Sequence, residues 1–439
     1  MQILRSKRRI ALAAFVLLVT LAVVASASVR DARATLPPGN AVQQWDKIAE
    51  DTVVGSGAFQ NEGLIYMAYV SNAMYSSITP GQRNGQSADA AVVEAAYTTL
   101  SHYFPAQAST LDTLHQTALD AIPDDQRKAV GMRYGALTAK KLISDREGDG
   151  LVTPIGSTSS FPNLVPGPGV WRLTPAAYAA PQTPWVSNVR PFVLQSGAQF
   201  LPPPPPSLGS SQWVAAFTEI KAHGSSANPN AGERSVALFW TANVIRQYNR
   251  LARDVVTSQS LGLADTARLL AMVNIVGADA QISVMYAKYH YLFWRPVTAI
   301  DPSSVKPTGD GFGPTPGFDD GNVLTAEQAG WRPLVTTPNH PEYPAAHGSI
   351  TSAEAAVLSR FLNTDAINVD IHGFDPSGPA GNLDAVRHFG TAGDLRTEIV
   401  DARVWAGVHF RFSAQAGVTL GADVARFDLS HAFSGNGDK

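Results

Sequence analysis

Apolar residues recur at the three-to-four spacing of an amphipathic helix through Phe59–Ile78, Ala90–Tyr103, Leu111–Ile122 and Gln126–Ile143. Pro105, Pro123 and the Asp124-Asp125 pair fall where such helices end or begin. The pattern vanishes between Pro154 and about Leu208, a tract that includes Pro166-Gly167-Pro168-Gly169 and five consecutive prolines, Pro202–Pro206. Yet Trp171, Trp185, Phe192, Val193, Leu194 and Phe200 make this tract too apolar for a solvated tether, so it reads as an irregular segment packed across the helices. Helical spacing returns near Gln212 and continues through Val236–Ser258. It becomes dense over Ala264–Trp294, with apolar residues on nearly every side, as in the central helix of a bundle. A glycine-rich connection, Gly309–Gly317, leads to Pro338–Ser349, and two further helices are expected over roughly 383–430. Few stretches alternate as strands do. The expected fold class is therefore all-α, a helical bundle with long irregular proline-rich connections. Residues 35–439 are expected to form a single helical unit, comprising a helical layer over 40–150, the proline-rich segment 154–208 and a catalytic bundle over 212–430.

Composition narrows the function classes. At 439 residues and 45% hydrophobic content the chain can bury a large core. Zero cysteines exclude disulfides, thiolate metal sites and a cysteine nucleophile. Residues 1–34 hold six Lys/Arg and one Asp, so the remainder carries 27 Lys/Arg against 35 Asp/Glu, a net −8. No nucleic-acid partner is expected, because such binding usually needs a basic stripe. Arg5, Lys7, Arg8 and Arg9 precede an apolar run from Ile10 to Val24, followed by the A-x-A-like sites Ala25-Ser26-Ala27 and Ala32-Arg33-Ala34. This reads as a signal peptide, and its removal predicts an exported periplasmic or extracellular protein without stable membrane association. Asp145-Arg146-Glu147-Gly148-Asp149-Gly150 superficially resembles a calcium loop, but Gly156 stands where a bidentate Glu is required, so a helix-ending turn is expected.

The candidate chemistry concentrates in Pro338-Asn339-His340-Pro341-Glu342-Tyr343-Pro344-Ala345-Ala346-His347-Gly348-Ser349. Its prolines stiffen the approach, and the pattern beyond predicts a helix starting near Ala346 with His347 at its N-terminal end. Unpaired N–H groups and the dipole there suit an oxyanion. Lys288 and Arg295 lie seven residues apart, which two turns of a continuous helix would place on one face, among Tyr289, His290, Tyr291, Phe293 and Trp294. Two cations in so aromatic a segment want an anionic partner. The segment Arg403-Val404-Trp405-Ala406-Gly407-Val408-His409-Phe410-Arg411 adds another cation and a histidine, six residues apart and thus off one face of a straight helix.

Taken together, Lys288-x6-Arg295-Pro296, Tyr343-Pro344-Ala345-Ala346-His347 and Arg403-x5-His409 resemble the three-part site of vanadium-dependent haloperoxidases and type 2 phosphatidic acid phosphatases. The similarity is greatest to the soluble bacterial haloperoxidase-like branch, with flanks such as Phe293-Trp294-Arg295-Pro296-Val297. The resemblance implies that Lys288, Arg295 and Arg403 neutralise the oxygens of vanadate, or of phosphate in the same site. The Ala346 backbone N–H would donate as well. His409 would be the apical group, coordinating vanadium or attacking phosphorus, and His347 the acid–base. The implied haloperoxidase reaction consumes hydrogen peroxide and halide, with Lys288 polarising the peroxide, and passes an oxidant to an organic acceptor. His340 stands where the family's bromoperoxidases carry His, which suggests bromide.

Two positions depart from the family pattern. Ala345-Ala346-His347 replaces the usual Ser-Gly-His, which removes one hydroxyl donor worth on the order of 1.5–3 kcal/mol toward an anion. Ser413 stands where the phosphatases commonly place an Asp that orients the nucleophilic His, a tilt away from phosphatase chemistry; Asp401, Glu398 or Asp279 are the candidate substitutes. The alternatives are an acid phosphatase working through a phosphohistidine at His409, a non-catalytic anion-binding protein, and a divalent-metal hydrolase using His340, Glu342 and His347.

Overall fold

The computed structural model describes residues 35–78, 85–153, 167–304 and 319–433. The expected signal peptide, the start of the proline-rich tract up to Pro166 and the Gly309–Gly317 connection lie outside the described residues. Among the described residues helices dominate and strands are few, as the apolar periodicity predicts.

An N-terminal group comprises α1 (Ala41–Gly55), α2 (Gln60–Ser77), α3 (Ala88–Tyr103), α4 (Ala108–Asp120) and α5 (Gln126–Asp145). Asn40, Ser87 and Asp125 cap α1, α3 and α5 through side chains that accept backbone N–H bonds, which explains why the helices start there. After the proline-rich stretch come α6 (Ser211–His223), α7 (Ala231–Phe239), α8 (Val244–Ser258) and α9 (Leu263–Tyr291). Asn243 caps α8, so the pattern read as one helix from Val236 is broken at 240–243. α9 alone among the described helices is long and apolar enough to cross a membrane, yet 94% of its apolar window is buried inside the protein. It is the central core helix.

α9 ends sooner than its apolar run suggests. Leu292 takes a left-handed conformation, φ 49°, and caps the helix at Tyr291; Arg295 then lies in extended backbone before the short helix α10 (Pro296–Ile300). Lys288 and Arg295 are therefore not two turns apart on one face. They converge because the chain breaks and turns back.

The C-terminal part holds α11 (Ala346–Leu362), a hairpin of β1 (Val369–Gly373) and β2 (Ala385–Phe389), α12 (Ala392–Trp405) and α13 (Arg411–His431). The strands pair antiparallel with Val369 opposite Phe389 and Gly373 opposite Ala385. Sequence patterning missed this hairpin because only β1 alternates cleanly between buried and exposed positions, whereas β2 buries one residue, Phe389. α11 and α13 pack at backbone distance. A Cβ built at Gly417 would lie 2.3 Å from the Ala345 carbonyl oxygen, and one at Gly421 only 1.9 Å from that of Ser349.

The proline-rich segment is tied to the bundle by main-chain bonds. Trp171 N–H donates to the Leu292 carbonyl (2.7 Å), Trp294 N–H to Gly169 (3.0 Å) and Gln182 N–H to Asn339 (2.7 Å), while the Tyr343 hydroxyl donates to Pro203 (2.7 Å). The turn at 145–150 serves the same end. Asp149 accepts from the Tyr69 hydroxyl (2.6 Å) and pairs with Arg146 (2.8 Å), whose guanidinium donates to the Pro191 carbonyl (3.1 Å). Asp279 of α9 accepts the N–H groups of Phe192, Val193 and Leu194 at 2.7–3.1 Å.

Both carboxylate oxygens of Asp428, on α13, are buried without a hydrogen-bond partner among the described residues. Burial and the neighbouring Asp279 charge push the Asp428 carboxyl far above the usual carboxylate range, so it is protonated at neutral pH. A raised folded-state value means that the fold retains a proton that the unfolded chain releases above about pH 4, so this group's contribution to stability falls as pH rises from there toward its folded-state value. Asp428→Asn preserves the shape of the neutral carboxyl and removes this dependence. Its melting temperature should decline less between pH 6 and pH 9 than that of the parent protein; parallel declines in thermal melts would contradict the assignment.

Candidate functional site

Four separate pieces of chain supply the polar groups that meet beneath the N-terminus of α11. The end of α9 brings Lys288, the extended link before α10 brings Arg295, the last turn of α12 brings Arg403, and the connection between α12 and α13 brings His409. His347 occupies the first turn of α11, as the pattern predicts. An aromatic cluster underlies these pieces and holds them in register. Trp213 stacks on Trp294 (5.8 Å between centroids), Phe410 stacks on Phe412 (5.4 Å), and Phe293 meets both phenylalanine rings edge-on.

Lys288 and Arg295 are wholly buried and Arg403 is 3% exposed. The Lys288 ammonium donates to the carbonyls of Pro341 (3.0 Å) and Glu342 (2.9 Å). The Arg295 guanidinium is woven into the backbone: Nε donates to the His340 carbonyl (2.9 Å), Nη1 to the Val408 carbonyl (2.9 Å), and Nη2 reaches His340 Nδ1 (3.1 Å). Nη1 also lies 3.3 Å from His409 Nε2. Arg403 differs, since its buried Nε has no hydrogen-bond partner among the described residues.

One carboxylate faces these cations. Glu342 is fully buried, and its Oε1 accepts from the Phe410 N–H (3.0 Å) and lies 2.9 Å from His409 Nδ1. Sequence reasoning placed Glu342 only in the metal-hydrolase alternative. The signal was its seat inside the motif that carries His347, but the pairing spans 67 residues and no local spacing reports it. The three proposed substitutes are engaged elsewhere. Asp279 holds the 192–194 backbone, Glu398 accepts from Trp240 and Arg387, and Asp401 pairs with Arg411. Ser413 Oγ lies 3.4 Å from the Glu342 carbonyl and also interacts with the Glu342 carboxyl, so it supports Glu342 rather than the His409 ring.

The electrostatics follow from burial. Desolvation and mutual repulsion lower the Lys288 ammonium well below its usual value and bring Arg403 down to about 9; burial takes Arg295 to about 10 despite the Glu342 charge. Desolvation pushes the Glu342 carboxyl up to about 7 against the pull of Lys288 and Arg295. His347 and His409 are both held well below the ordinary imidazole value, first by burial and then by the surrounding cations, Arg403 foremost for His347 and Arg295 foremost for His409.

Ala345 N-caps α11 without a side-chain hydrogen bond, and its own N–H is taken by the Ser413 carbonyl (3.1 Å). The helix's own pattern begins with Ser349 N–H on the Ala345 carbonyl, which leaves the N–H groups of Ala346, His347 and Gly348 outside it. His340 and Glu342, two members of the metal-hydrolase alternative, are bonded to Arg295 and His409 instead. No group of three His, Cys, Asp or Glu suited to a metal ion gathers among the described residues.

Residues 268–435 match the VCPO second helical-bundle domain, a span that includes Lys288, Arg295, His347, Arg403 and His409. Over that span the chain is similar to the vanadium chloroperoxidase type of helical bundle. A vanadium chloroperoxidase from Curvularia inaequalis is 25% identical to it over 280 residues, which is 51% of this chain and 44% of that protein's length. Two solved structures share the fold. A bacterial vanadium-dependent iodoperoxidase superposes with TM-score 0.69 at 20% identity, covering 90% of this chain and 98% of that one. A bacterial vanadium-dependent chloroperoxidase in its holo form gives 0.61 at 17% identity, covering 87% and 93%. The helical fold expected from the sequence is thus the vanadium haloperoxidase fold.

The pocket's residues fit a tetrahedral oxyanion. Three buried cations against one buried carboxylate leave an excess of positive charge, the Arg403 Nε lacks a partner, and an uncapped helix N-terminus adds N–H donors. Lysine contributes a point charge and the two arginines planar forks suited to adjacent oxygens.

Proposed function

We propose that the protein is a vanadate-dependent haloperoxidase-like enzyme that uses hydrogen peroxide to oxidise halide, with an organic molecule as final acceptor. The observation that carries this reading is the buried cluster of Lys288, Arg295 and Arg403 beside His409, in a chain related to the vanadium haloperoxidases. Vanadate, when bound, supplies Lewis-acid activation of peroxide toward halide. Lys288, Arg295, Arg403 and the Ala346 N–H would hold its oxygens, and His409 Nε2 would meet the metal. His347, held neutral by its surroundings, takes up a proton from entering peroxide and returns it as the oxidised halide leaves. Export through residues 1–34 belongs to the same proposal, with cell fractionation as its test.

A second reading draws support from the Glu342–His409 contact. A carboxylate on Nδ1 raises the nucleophilicity of the opposite nitrogen, so the Ser413 departure no longer argues against a phosphatase. In that reaction the charge of the bound phosphate ester lets His347 take up a proton, which it gives to the departing ester oxygen as His409 Nε2 bonds to phosphorus; His347 then takes a proton from the water that releases phosphate.

Purified protein assayed for peroxide-dependent bromination of a phenol across an orthovanadate titration, and in parallel for phosphate-ester hydrolysis, separates the two. Vanadate-stimulated bromination is expected; phosphate release with no stimulated halogenation by chloride, bromide or iodide would establish the second reading instead. In either reaction His347→Ala should lower kcat by about 10²–10⁴-fold, the usual worth of a positioned acid–base, while oxyanion affinity changes little. Unchanged turnover in both assays would remove His347 from the mechanism.

A further inference from the structure

We infer that Glu342 is the positioning residue of His409, fixing the imidazole as the Nδ1–H tautomer so that the Nε2 lone pair faces the oxyanion pocket. Two contacts on opposite sides of the ring require the same proton placement. Arg295 Nη1, 3.3 Å from Nε2, is only ever a donor, so Nε2 must accept. A neutral imidazole then carries its proton on Nδ1, where Glu342 Oε1 waits at 2.9 Å.

The carboxylate is itself held in place. Oε1 also accepts the N–H of Phe410, the residue after His409, so the same oxygen locates both ring and main chain. The Glu342 carbonyl accepts from Lys288 Nζ, and Ser413 Oγ lies 3.4 Å from it. Glu342 and His409 are both essentially sealed from solvent, so no bulk water competes for the Nδ1 proton. The arrangement also joins two functions in one stretch of chain: the segment that presents His347 braces the other histidine five residues earlier. In the phosphatases that the sequence resembles, the orienting carboxylate follows the nucleophilic histidine by four residues; here that position is Ser413, and the brace comes from the opposite side of the pocket.

This inference rests on the reading of His409 as the apical group of the site, and its test is independent of turnover. Full-length protein with ring-15N histidine, as parent, Glu342→Gln and Glu342→Leu, would be examined by long-range 1H–15N correlation at neutral pH, with His409→Gln assigning the resonance. Orthophosphate affinity would be measured by calorimetry on the same samples. The parent should show His409 as Nδ1–H. Glu342→Gln should keep that tautomer, because the Phe410 N–H orients the amide oxygen toward the ring, and should retain phosphate affinity within a few-fold. Glu342→Leu should show a mixed or Nε2–H imidazole with at least tenfold weaker phosphate binding.

A parent with His409 as Nε2–H, or a Glu342→Leu variant with both readouts unchanged, would overturn the inference. If Glu342→Leu does not fold, the parent and Glu342→Gln tautomers still decide it. A parent that is Nδ1–H but neither brominates nor hydrolyses phosphate esters would leave the brace standing and defeat the proposed function.

Discussion

Replacing Arg403 by methionine should weaken orthovanadate and orthophosphate binding about a hundredfold while raising the melting temperature of the oxyanion-free protein. The two effects share one cause. Arg403 is 3% exposed, its Nε has no hydrogen-bond partner among the described residues, and burial, with repulsion from Arg295 added to it, brings the guanidinium down to about 9. A buried cation in that condition destabilises the fold until an anion arrives. Methionine fills the space of the aliphatic stem and removes the charge. The loss of hydrogen bonds to a charged ligand, at about 1.5–3 kcal/mol, accounts for an affinity change of roughly one to two orders of magnitude. Calorimetry with each oxyanion and thermal melts without them would check both signs. A variant that binds as well as the parent would place Arg403 outside the site. Arg295 makes a poorer probe, because its bonds to the His340 and Val408 carbonyls also support the backbone.

The second large effect belongs to packing. Gly421→Ala should cost about 3 kcal/mol or more of stability and impair oxyanion binding as well. The added methyl would sit 1.9 Å from the Ser349 carbonyl oxygen, and both partners are helix backbone, so no flexible side chain can yield. α13 must shift away from α11, at the upper end of the usual range for overpacking. Because His347 opens α11 and His409 sits just before α13, that shift also separates the two histidines. Gly393→Ala provides the comparison: its Cβ would meet nothing closer than Thr391 Oγ1 at 3.5 Å, and alanine favours the helix. Denaturant unfolding of the two variants should therefore move in opposite directions, and equal midpoints would show that α11 and α13 are not in the contact described.

Most of the fold was legible because helices announce themselves locally. Apolar spacing located α2, α3 and α5 to within a few residues, and the prolines before α11 with the pattern beyond them placed its start near Ala346. The failures have physical reasons. Periodicity carried α9 through Trp294, but a left-handed Leu292 leaves no trace in an apolar pattern, so Arg295 was put on the wrong element. The exposed face of β2 hid the hairpin. At the site, residue types and order pointed to Lys288, Arg295, His347, Arg403 and His409, because cations and histidines in apolar surroundings are conspicuous. The partner of His409 was not conspicuous. A single glutamate 67 positions away becomes its neighbour only once the chain has folded, and the nearer acids Asp401 and Glu398 looked equally suitable.

The break at Leu292 has a consequence for how the pocket comes into being. Lys288 and Arg295 stand on separate pieces of chain, and with Arg403 and His409 they draw on residues spread from 288 to 409, so no isolated helix or hairpin holds two of the three cations in working order. An oxyanion held there would consequently be a ligand of the completed tertiary structure alone. Added phosphate or vanadate will shift the unfolding equilibrium by RT ln(1 + [L]/Kd), which makes either anion a practical reporter of the native fraction during refolding and an aid to recovering the protein intact.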